Sequence, residues 1–305
     1  MLTGILAGLL AGALWGLVFV APRMVSGFAG IDLTAGRFVV YGVVSVAVLA
    51  VSWRRARKPT WPQAWGALWL SVLGFTGYYW ILVLAIRDAG TEMPALIVGT
   101  IPIWVMLLGK PQGLRWVALL PGLLLTLAGL YFMAKGTLAH ADQALAALNT
   151  IASQSAYWRG IGLAVAAMAC WTAFALLNAA WLRRNPDVGA TDWANWLGVA
   201  TGVGGLLLTF TLGTPLPQLV AQPAWPLFAL IVVAIGLGSS WLATILWNIA
   251  SQRLSASLCG QLIVSETLFA LLYSFMWDKR WPTITQWTAA ALFTAGILAS
   301  IKAHR

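Results

Sequence analysis

Charge is what this chain has least of. Only 18 Lys or Arg and 8 Asp or Glu occur in 305 residues, 9% of the chain, where a water-facing surface on a chain this long needs several times that number. Soluble domains are excluded on that ground. Cysteine is nearly absent: Cys170 and Cys259 both sit in apolar stretches, with no His or carboxylate at ligand spacing. A disulfide framework and a metal centre are therefore not expected. The two histidines, His140 and His304, fall outside the apolar runs, and no HExxH, GxSxG or paired-aspartate cluster occurs. Catalysis is not expected, nor any cofactor. The chain has no GxxxxGK[ST] phosphate loop, which excludes an ATP-driven pump from this chain alone, and no repeated filter-like loop or charged ring of the kind channels use.

What the chain does have is apolar length. It is 61% hydrophobic with a mean hydropathy of +0.85, and the lipid bilayer is its expected surroundings. A span needs roughly 20 apolar residues to cross about 30 Å of hydrocarbon. Ten runs qualify, at 3–21, 33–53, 64–86, 91–109, 115–134, 158–182, 191–212, 225–251, 256–277 and 284–302. None shows two-residue alternation, so helices are selected over a barrel. The first run lacks a basic leader and is too long for the apolar part of a secretory signal, which makes it a first span.

The net charge of +10 is not a nucleic-acid signature, because the cations are scattered between apolar runs instead of gathered on one face. Counted by alternate loops they sort unevenly. With a cytoplasmic N-terminus, the inner set is Arg54, Arg55, Arg57, Lys58, Lys110, Arg115, Arg183, Arg184, Arg253, Lys302 and Arg305. The outer set is Arg23, Arg87, Lys135, Arg159, Lys279 and Arg280, with Arg37 near the outer end of the second span. This bias places both termini in the cytoplasm.

The longest polar connection, 135–157, divides the chain into 1–134 and 158–305, five spans each. Leu138, Leu145, Leu148 and Ala152 would make the apolar face of a short interfacial helix, a mobile loop being the alternative. The halves echo one another. Gly4-Ile5 and Trp15 return as Gly160-Ile161 and Trp171; Ile97-Val98 answers Ile263-Val264; Gly129 answers Gly296. Five being odd, the second half is expected upside down relative to the first. Secondary transporters are commonly built this way, with a site between the halves near mid-depth.

The stretch from Gly236-Leu237-Gly238 through Leu246-Trp247-Asn248-Ile249-Ala250, Ser255-Ala256-Ser257 and Ser265-Glu266-Thr267-Leu268-Phe269-Ala270 to the run ending at Gly296 resembles the second EamA repeat of the drug/metabolite transporter superfamily. The first half is similar through Leu14-Trp15-Gly16, Arg37-Phe38 and Ile101-Pro102. Two positions depart from the pattern: Thr267 stands where Pro commonly follows Glu, and Asp278 near where a Glu commonly precedes the last span. The resemblance implies an all-α polytopic protein of two inverted five-helix repeats that exports a small metabolite across the inner membrane. The richness in Trp and Tyr is most similar to the superfamily's aromatic amino acid exporters.

Candidate substrate contacts are groups far from both interfaces. Glu266 is the one carboxylate well inside a span; it either meets a substrate ammonium or relays a proton, or it is bonded to a neighbouring helix. Asn178, Asn248 and Gln261 can donate and accept toward a zwitterion or, equally, between helices. Of 19 Trp, Trp53, Trp61, Trp65, Trp158, Trp181, Trp193, Trp225, Trp277 and Trp281 lie near span ends and read as interface belts. Trp15, Tyr78, Tyr79, Trp104, Trp171 and Trp241 lie deeper, where rings offer apolar area and edge-to-face packing to an aromatic or bulky solute. Gly74, Gly77 and Pro102 are expected to loosen spans three and four. With so few buried acids, facilitated export or loose proton coupling is expected. A non-transporting scaffold or receptor, or export of a purine or sugar derivative, is the alternative.

Overall fold

The computed structural model describes residues 1–52, 54, 57–146, 151–279 and 281–304. Among them the secondary structure is helical, and nine helices are long and apolar enough to cross a membrane. We number the helices α1 (Leu2–Met24), α2 (Gly30–Val51), α3 (Trp61–Ala89), α4 (Glu92–Leu108), α5 (Trp116–Ala146), α6 (Ile151–Arg184), α7 (Ala190–Leu212), α8 (Trp225–Arg253), α9 (Ala256–Asp278) and α10 (Ile284–Ala303).

The fourth expected span, 91–109, is not one long helix. It is two short helices, Glu92–Gly99 and Ile101–Leu108, broken at Thr100. Pro102 has no N–H to continue the ladder, and the Thr100 hydroxyl takes up the Ile97 carbonyl at 2.6 Å. The short α4 nonetheless runs the length of the bundle. It starts just after Asp88, which is paired with Arg159 at 2.7 Å, and ends at Gly109, whose carbonyl accepts the Ser257 N–H at 3.1 Å at the start of α9. Helix starts are set by side-chain caps: Thr60 with Gln63 before α3, Ser255 before α9 and Thr283 with Gln286 before α10.

The connection expected at 135–157 is largely helix. Its first part, to Ala146, prolongs α5 and its last part, from Ile151, opens α6. Leu148 and Trp53 lie outside the described residues.

Both α3 and α8 carry a π-helical segment mid-way, at Val72–Thr76 and Gly236–Leu242. Such bulges release the regular hydrogen-bond ladder and recur at functional sites. Helix packing is organised in pairs: α2 lies on α7, α5 on α10, α1 against the C-terminal half of α8 and against α9, and α6 against the C-terminal half of α3 and against α4. Small residues allow these approaches. A Cβ on Gly42 would stand 2.5 Å from the Gly202 Cα, and one on Gly129 2.6 Å from the Phe293 ring.

The chain ends meet on one side of the bundle: Met1, Pro111, Leu114, Arg253 and His304 line a common cleft of about 520 Å³. On the opposite side Arg23 pairs with Asp278 at 3.0 Å, and Asp88 with Arg159.

Candidate functional site

The deep aromatic residues form a connected series. Tyr78 touches Tyr79 with ring centroids 6.5 Å apart, Tyr79 meets Phe38 at 6.2 Å, Phe38 meets Phe75 at 5.9 Å, and Phe75 meets Phe174 at 5.4 Å. From Phe174 the series reaches Trp171 at 5.9 Å, and Trp171 faces both Trp15 and Trp247 at 6.2 Å. Edge-to-face geometry dominates, as the ring quadrupole favours. The π-helical segment of α3 supplies Phe75 and the turn before Tyr78, so the irregular backbone aims this face inward.

Trp15 and Trp171, echoes of one another in sequence, are thus in contact. Both keep partial exposure while standing inside the bundle. Trp247 is buried, as are Phe38 and Phe174.

Beside Phe38 lies Arg37, with its guanidinium carbon 4.9 Å from the Phe38 ring centroid. Arg37 on α2 is within electrostatic range of Tyr79 and Tyr78 on α3 and of Glu266 on α9. Glu266 is ten residues from the start of α9 and twelve from its end (256 to 266 to 278), near mid-depth. Arg37, Tyr78, Tyr79 and Glu266 are enclosed by other helices yet retain accessible surface. No ion pair within 4.0 Å joins Arg37 to any described carboxylate, and its Nε is buried without a hydrogen-bond partner.

The amides lie elsewhere. Asn178 donates to the Asn248 carbonyl oxygen at 3.1 Å and accepts from the Trp193 indole at 2.7 Å; both amides are buried completely. Gln261 donates to Thr126 at 2.9 Å and accepts from Ser300 at 3.1 Å, joining α9 to α5 and α10. Trp241 donates to Asn195 at 2.9 Å across α8 and α7. Trp104 is 43% exposed and bonded to Thr100 in its own helix at 3.1 Å. The structure therefore gathers Trp15, Tyr78, Tyr79, Trp171 and Glu266, and ties Asn178, Asn248, Gln261 and Trp241 into bonds between helices.

Arg37, Trp247, Phe75 and Phe174 join the site without having been candidate substrate contacts, although Arg37-Phe38 and Trp247 stand in the stretches that carry the family resemblance. For Arg37 the signal was present: it is a cation seven residues inside α2 (30 to 37). Of the belt set, Trp61, Trp158 and Trp281 are exposed, but Trp193 is fully buried and stacked on Trp181 at 3.5 Å. Its position in the first turn of α7, under the end of α6, decided that.

Nine long apolar helices around an interior that holds charge define a polytopic α-helical membrane protein. No family model matches the chain. Over 315 aligned residues it is 32% identical to the inner membrane protein YtfF of Escherichia coli strain K12, covering 99% of this chain and 96% of that relative. The chain belongs to the family of that inner membrane protein. A solved crystal structure superposes with a TM-score of 0.75 at 22% identity, over 99% of this chain and 98% of the other, and shares the fold from end to end.

Proposed function

We propose that this protein is a secondary transporter of the drug/metabolite transporter superfamily, in its EamA family, exporting aromatic or large neutral amino acids across the inner membrane by alternating access. Both termini are cytoplasmic in this reading, and the aromatic amino acid exporter YddG is the counterpart its Trp and Tyr content resembles. No cofactor and no catalytic step are involved.

The observation that carries the reading is the contact between Trp15 and Trp171, equivalent positions of two halves, at the head of an aromatic series that ends beside the interior carboxylate. The helix pairing supports it: exchanging α1–α5 for α6–α10 maps every principal pair onto itself or onto another such pair, α1 on α8 and α9 becoming α6 on α3 and α4. Close approaches obey the same exchange. Gly4 backs onto Leu254 as Gly160 backs onto Ala89, and Gly129 onto Phe293 as Gly296 onto Thr126. Two inverted units around one site are the frame on which rocking transporters alternate.

Counterflow in proteoliposomes tests this. Preloaded phenylalanine or tryptophan should drive uptake of labelled substrate, whereas purines and sugars should not compete. Failure to move any amino acid down its gradient would overturn the transport reading in favour of a scaffold or receptor.

A further inference from the structure

We propose that Arg37 is the anchor for a carboxylate on the transported solute, with Glu266 as the interior acid that meets the solute's ammonium. This rests on the transporter reading and narrows its substrate to molecules carrying an acid group.

A guanidinium is a fork of five donors whose charge persists in proteins, and a buried one without a partner is costly. Part of the Arg37 guanidinium is in that condition. Its Nε is buried and unbonded, no described carboxylate lies within ion-pair distance, and its face rests on Phe38. Glu266, on α9, lies within electrostatic range of Arg37 but not within ion-pair distance.

A zwitterion fits both ends. Its carboxylate accepts from the Arg37 fork, its ammonium donates to Glu266, and the interior keeps the same net charge whether occupied or empty. Tyr78, within electrostatic range of both charges, and Tyr79, within range of Arg37, offer hydroxyls to the same head group. The aromatic series leading toward Trp171 then receives the side chain. Because α2 and α9 come from opposite halves, a bound solute bridges them.

The test needs no variant to begin. Purified wild-type protein is titrated, by intrinsic Trp fluorescence and in counterflow competition, with phenylalanine, its methyl ester, phenethylamine and 3-phenylpropionate. Phenylalanine should bind about tenfold to hundredfold tighter than the ester or the amine, the scale set by a charge-assisted bond. Arg37→Gln should abolish that preference, with phenylalanine and phenethylamine binding alike, and Arg37→Lys should restore part of it. Equal binding of amine and amino acid by the wild type would overturn the anchor, as would an Arg37→Gln protein that is monodisperse and still prefers the acid. Were Arg37→Gln to misfold, the wild-type series alone decides. Binding of phenylalanine without flux would instead count against the transporter reading and leave the anchor standing.

Discussion

Gly42 and Gly202 cross back to back: a Cβ on either would lie 2.5 or 2.6 Å from the other's Cα. This is a close backbone approach between α2 and α7, which pack along each other. Only hydrogen fits there, so the crossing depends on composition at two positions 160 residues apart (42 to 202).

Gly202→Ala should therefore overpack the crossing and cost about 1–3 kcal/mol. A lowered melting temperature in detergent is the measurement. Gly30→Ala, where a Cβ would meet open space, serves as the control and should melt as the wild type does.

Trp171→Ala and Tyr78→Ala should each raise the half-saturation concentration for aromatic amino acids by about tenfold, the loss of one stacked ring. Trp61→Ala should leave it unchanged, since Trp61 is 74% exposed at the start of α3. Equal effects from all three in a competition assay would remove the aromatic-cavity argument.

Glu266→Gln should preserve counterflow at saturating substrate, because exchange needs no net proton movement, while raising the half-saturation concentration by about tenfold. Abolition of counterflow together with its pH dependence would assign Glu266 to a proton relay.

Asn248→Ala removes the acceptor for Asn178 between α6 and α8. Leaving that buried donor unpaired should cost about 1–3 kcal/mol. The expected result is a lower melting temperature with an unaltered order of competing substrates; a changed order would return the amide pair to the binding site.

Much of this architecture is legible in the sequence because lipid imposes a simple rule: each span must be apolar, helical and about 20 residues long. Nine of ten expected spans are long helices. The exception follows from Pro102, whose effect on hydropathy is small and on the hydrogen-bond ladder large. The site was harder to read. Asn178, Gln261, Tyr78 and Glu266 are alike in sequence, polar groups inside apolar runs. Whether each meets a helix or a cleft depends on the rotation of its own helix and on what the neighbouring helix presents there. Trp193 shows the same limit. Its place at a span end fits a belt, yet it is stacked between helices on Trp181.

Composition by itself determined the solvent, the secondary structure and the number of apolar segments, since these follow from local transfer free energy and backbone satisfaction. Only the tertiary structure decided which interior groups face one another. Arg37 and Glu266 are 229 positions apart (37 to 266) and come within electrostatic range of each other from α2 and α9, a juxtaposition set by helix packing, which no local property of either residue encodes.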